Sequence, residues 1–192
     1  RKMLKATAFV VFPIMMMLSA LAHPLVITLV TAKWEACVVL LQIICFQLMW
    51  YPVHAINLNL LQVKGRSDLF LRLEIIKKIV GLSILVFTLP HGLVVFCCGS
   101  VVASLISLII NTYYTGKLIN VGYFRQMGDL MPIVGLGLVM FGVVLLMTHA
   151  IPNMFAQIIV GGAVGAVVYL GGAMLFKFSE LEDVKYMLKR SK

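Results

Sequence analysis

Gln47, Trp50, His54, Asn57 and Leu61 recur at intervals of three and four residues, so on a helix they share one face. Amide, indole and imidazole groups in such a row could line a hydrated cavity, with His54 able to carry a proton. The same row could instead bond one helix to another, each such contact within a membrane being worth roughly 0.6 kcal/mol. A second set of groups follows directly. Arg66, Arg72, Lys77 and Lys78 are cations, and guanidinium and ammonium groups are the side chains that hold phosphate oxygens. Cations at membrane edges also act simply as topology determinants, and both roles are open at these positions. Glu74 precedes Lys78 by four residues, the favourable order for a helical ion pair, with Lys77 one step round the helix. Glu74 and Asp129 are the acids placed to form an ion pair or gate.

Other chemistries find no residues. There is no Gly-x-x-x-x-Gly-Lys phosphate loop and no His-Glu-x-x-His, and no acid and histidine pair converges on one loop. Cys37, Cys45, Cys97 and Cys98 lack metal-ligand spacing and read as small apolar thiols. The sequence therefore predicts neither an enzyme nor a bound metal or cofactor. Nucleic acid is not an expected partner, because no soluble element carries clustered basic and aromatic residues.

The elements that hold these groups are set by where charge is missing. Residues 6–32, 36–63, 79–116 and 130–176 contain no Asp, Glu, Lys or Arg. A bilayer core of ~30 Å needs roughly 20 apolar residues of helix. The first two stretches hold one span each and the last two hold two each. This predicts an all-α membrane protein with six transmembrane helices, at about 6–31, 36–61, 69–89, 93–113, 130–147 and 154–176. Hydrophobic content of 62% agrees. With six spans, Lys33 faces one side and every other Lys and Arg faces the other. That asymmetry puts both ends in the cytoplasm and ascribes the net charge of +9 to topology and anionic lipid.

Local signals refine the picture. Pro13 and Pro24 interrupt the first span, and each frees a backbone carbonyl that neighbouring helices must satisfy. Trp34 suits an interfacial anchor in the outer loop. Gly65 supplies a turn, and Ser67 or Asp68 is expected to cap the next helix. Pro90-His91-Gly92 reads as an outer hairpin. Gly99, Ser100, Ser104 and Ser107 offer a small packing surface. Residues 114–129 are expected as an inner loop, with Asp129 capping the fifth span and Pro132 in its first turn. Gly161-xxx-Gly165 predicts a tight packing face. Residues 177–192 form a cytoplasmic tail, in which Ser179-x-x-Glu182 predicts a capping box. Leu181, Val184 and Leu188 then make one apolar face of a short amphipathic helix, lying on the membrane or solvated. The chain opens at Arg1 without a signal-peptide pattern, which suggests a piece whose N-terminal part is missing.

Several of these residues carry a resemblance. The run Tyr51-Pro52-x-His54-x-x-Asn57-x-Asn59-Leu60-Leu61, then Gly65-Arg66-Ser67-Asp68 and Glu74-Ile75-Ile76-Lys77-Lys78, is one part of it. Asn111-x-Tyr113-Tyr114-x-Gly116-Lys117-Leu118-Ile119-Asn120, with Gly122-Tyr123, Gln126, Asp129 and Pro132, is the other. Together they resemble the C-terminal half of bacterial polysaccharide biosynthesis proteins. These are the Wzx-type O-antigen and capsule flippases of the MOP exporter superfamily.

The resemblance implies most of the C-terminal lobe of a MOP/MATE-like transporter in the bacterial cytoplasmic (inner) membrane. It implies a lipid-linked oligosaccharide, carried on undecaprenyl diphosphate, as substrate. Transport would proceed by alternating access, driven by an ion gradient rather than ATP. The partners would be membrane lipids and an N-terminal lobe that this chain lacks. Arg66, Arg72, Lys77 and Lys78 would then meet the diphosphate at the cytoplasmic mouth. Gln47, Trp50, His54 and Asn57 would line the cavity. Rival readings are a multidrug or small-solute antiporter of the same superfamily, and a non-transporting membrane scaffold subunit.

Overall fold

The computed structural model describes residues 2–119, 122–178, 180 and 181. Among them every regular element is helical. The α-helices are α1 (Lys2–Ala20), α2 (Ala22–Leu29), α3 (Cys37–Met49), α4 (Tyr51–Val63), α5 (Ser67–Thr88), α6 (Leu93–Ile119), α7 (Tyr123–Ala150) and α8 (Met154–Leu175). Short 3₁₀ turns at Ala32–Trp34 and Leu89–His91 link α2 to α3 and α5 to α6. The expected tail helix, including the Ser179 and Glu182 capping pair, lies almost wholly outside the described residues.

Five stretches are long and apolar enough to cross a membrane: Lys2–Ala20, Cys37–Val63, Leu93–Lys117, Tyr123–Ala150 and Met154–Leu175. The chain thus has the build of an all-α membrane protein. The helix α5 is not among the five, because Asp68, Arg72, Glu74, Lys77 and Lys78 occupy its first half. It nevertheless lies alongside α6 and α4.

Proline shapes the first two expected spans. The first divides into α1 and α2 at Leu21, three residues before Pro24. Pro13 stays inside α1 and cannot donate to the carbonyl of Phe9. The hydroxyl of Tyr169, on α8, donates to that oxygen at 2.9 Å. The Ser19 carbonyl, beside the break, accepts from Gln42 Nε2 at 3.3 Å. The second expected span divides at Trp50, two residues before Pro52. There the chain tightens, Trp50 N donating to Gln47 O and Val53 N to Trp50 O. Bonds of that i→i−3 kind wind the backbone faster than an α-helix does.

The C-terminal end of α6 and the N-terminal end of α7 run further than the apolar pattern suggests. Residues 114–119 and 123–129 are helical. No proline interrupts this segment, and Lys117 in the last turn of α6 complements the helix dipole. Asp129 is therefore not a cap, and Pro132 lies inside α7. Ser67 and Asp68 do not cap α5 either. Asp68 instead accepts from the Arg66 guanidinium at 3.2 and 3.4 Å. Gly65 and Gly92 do take the positive φ that their turns require, at 68° and 97°.

The core gathers around α1. Phe12 and Met16 meet Met49 and Val53 on one side, and Ile133, Met140 and Tyr169 on the other. Gly161, Gly165, Tyr169 and Ala173 form the buried face of α8, as the small-residue spacing predicts. Large apolar side chains such as Val39, Phe87, Val102, Leu138 and Phe155 point outward. A water-soluble protein rarely presents so much contiguous apolar surface, and lipid is the medium that suits it. Lys5 lies 3.7 Å from Asp129 and 3.4 Å from Glu180. The start of α1, the first turns of α7 and the chain just past α8 thus meet at one end of the bundle.

Candidate ligand cavity

A partly open cavity of about 620 Å³ lies between α3 and α4 on one side and α5 and α6 on the other. Its walls form because four helices present polar groups toward it. On α6, Ser100, Ser104 and Ser107 follow one another at four and three residues and share a face. Gln47 and His54, seven residues apart, face them from α3 and α4. Glu74, Lys77 and Lys78 enter from α5, with Gly81, Leu85 and Thr88 continuing that wall.

Hydrogen bonds fix the polar groups. Ser100 Oγ donates to Gln47 Oε1 at 2.8 Å. His54 Nδ1 lies 3.2 Å from Asn111 Nδ2, and His54 Nε2 lies 3.2 Å from Ser104 Oγ. These two contacts hold the imidazole between α4 and α6. Glu74 forms an ion pair with Lys77, one turn on, rather than with Lys78. The Lys77 side chain is largely buried against the bundle, while Lys78 is exposed at the cavity and has no ion-pair partner among the described residues.

The sequence-derived candidates separate into those inside this cavity and those outside. Gln47, His54, Glu74, Lys77 and Lys78 come together there. Trp50 and Asn57 do not, because at about 100° per residue they lie roughly 60° round the helix from Gln47 and His54, on the flank that meets α1 and α7. The Trp50 ring packs on Phe12 and Phe46, at 5.5 and 6.5 Å between centroids. Asn57 is buried against α7, where its amide and that of Gln126 exchange two hydrogen bonds of 2.9 and 3.0 Å. Arg72 is exposed, away from the cavity. Arg66 is engaged with Asp68, and its guanidinium holds that carboxyl below the usual carboxylate range. Asp129 belongs to the Lys5 cluster at the end of the bundle and does not face Glu74.

Sequence reasoning missed three contributors. The serines of α6 read as packing surface, although their spacing already put them on one face. Asn111 and Gln126 entered only through the family resemblance, with no contact assigned to either. Among the described residues no three His, Cys, Asp or Glu side chains converge, so none of them forms a ligand set for a metal. A larger groove of about 1120 Å³ between α7 and α8 is walled mainly by Gly, Val and Leu, with Lys5, Lys177 and Glu180 as its charged lining. Comparison with family models, with curated proteins and with solved structures finds no match to this chain.

Proposed function

We propose that this chain is one lobe of a flippase that moves a lipid-linked oligosaccharide across the bacterial cytoplasmic membrane. The observation that carries the reading is the cavity between α3, α4, α5 and α6. In a bundle whose other spans carry charge only near their ends, it gathers an imidazole, an amide, five hydroxyls, two ammonium groups and a carboxylate. Ionisable groups at membrane depth are costly and mark solute pathways. An amphipathic lipid diphosphate needs such a lining: hydroxyls and amides for its sugar, cations for its phosphates, and apolar surface for its chain. On this reading α5 is the sixth span. Its charged half faces the cavity, its apolar half reaches the outer hairpin, and both chain ends lie in the cytoplasm.

The resemblance to the polysaccharide flippases supplies the substrate class, and a second bundle would close the cavity for alternating access. The test is translocation of a fluorescent undecaprenyl-diphosphate oligosaccharide in vesicles holding the full-length protein. Reversing both charges, Lys77→Glu with Lys78→Glu, abolishes translocation while membrane insertion is preserved. Normal translocation by that variant refutes phosphate docking in this cavity.

A further inference from the structure

Lys77 and Lys78 are neighbours in sequence, yet the structure gives them different states. Consecutive helical residues point about 100° apart. Lys77 turns back toward the bundle and is held by Glu74, its side chain 12% exposed. Lys78 also borders the cavity but has no carboxylate against it among the described residues. The other described acids are engaged elsewhere: Glu35 with His23, Asp68 with Arg66, and Asp129 and Glu180 with Lys5. The cavity therefore offers one available positive charge, with a second one masked.

Resting on the flippase reading, we infer that Glu74 is a selectivity latch. Lys78 receives the first phosphate of a lipid-borne anion, and a second phosphate displaces Glu74 from Lys77. A lipid monophosphate has no group to make the exchange and leaves the latch closed. A diphosphate takes both ammonium groups and releases the carboxylate toward the open side of the cavity. No bond is made or broken. One ion pair is traded for two, each charge-assisted and stronger than a neutral hydrogen bond. Glu74 is in this account a positioning residue, acting through Lys77.

The sign of one substitution separates a latch from a structural pair. Binding of farnesyl diphosphate and farnesyl monophosphate, both free of sugar, is measured on the full-length protein in nanodiscs. Lys78→Gln weakens both ligands by about tenfold. Glu74→Gln tightens the diphosphate several-fold and the monophosphate much less, because Lys77 is unmasked. Unchanged or weaker diphosphate binding by folded Glu74→Gln overturns the latch. Should that variant fail to fold, the charge-neutral double substitution Glu74→Gln with Lys77→Gln decides: it erases the preference for diphosphate and spares the monophosphate, whereas equal loss of both overturns the inference. Because the probes carry no sugar, a protein that behaves this way yet translocates no oligosaccharide loses the functional reading alone. One that translocates oligosaccharide while its binding ignores Glu74 loses the latch alone.

Discussion

Removing the Tyr169 hydroxyl should destabilise the bundle, and Pro13 should determine by how much. Pro13 has no N–H, so the Phe9 carbonyl has no partner within α1. The Tyr169 hydroxyl fills that place at 2.9 Å, with the side chain 4% exposed. Tyr169→Phe keeps the ring and its 5.1 Å contact with Phe9 but leaves a buried carbonyl bare. Interhelical hydrogen bonds in membranes average about 0.6 kcal/mol and reach about 1.7, while an orphaned buried acceptor costs about 1–3 kcal/mol. The proline removes any local substitute, so a value near 1.5 kcal/mol follows, roughly tenfold in the unfolding equilibrium. Pro13→Ala restores an N–H able to reach Phe9, and in that background Tyr169→Phe should cost under about 0.5 kcal/mol. Reversible unfolding in mixed detergent micelles, run on both singles and the double, measures the coupling. Equal cost in both backgrounds, or none in the parent, refutes the assignment.

Two further outcomes follow from the packing. Asn57→Ala removes two buried hydrogen bonds from the Gln126 amide and should destabilise by about 1–3 kcal/mol; replacing both by Leu should cost less than Asn57→Ala alone in the same unfolding assay. Gly165→Leu drives a side chain into Met17 and Val144, whose atoms lie 3.0 and 3.1 Å from an added Cβ, whereas Gly162 faces open space. Thermal unfolding in detergent should show Gly165→Leu far less stable than Gly162→Leu, and equal stability would contradict the packing of α8.

Much of the architecture was legible because charge and hydropathy act over whole helices. The charge-free stretches located the apolar helices, and the need to satisfy the carbonyl freed by Pro13 was readable in advance. The donor was not, because Tyr169 is distant in sequence and only tertiary packing brings it there. The row of residues 47–61 shows the same limit for the candidate site. Gln47 and His54, seven residues apart, stay together at the cavity, whereas Trp50 and Asn57 lie roughly 60° round the helix and meet α1 and α7 instead. Likewise, spacing favours Glu74 with Lys78, but α5 presents its side chains to a neighbour, and the carboxylate goes to Lys77.

The central claim is a water-accessible path between α4, α5 and α6, and cysteine accessibility tests it most directly. In a variant with Cys37, Cys45, Cys97 and Cys98 replaced, single cysteines are placed at Ser107, which lines the cavity, and at Val102, which points outward. A charged, membrane-impermeant thiol reagent added to native membranes should label the cysteine at 107 and spare that at 102. If neither position reacts, or both react alike, no hydrated path lies between these helices.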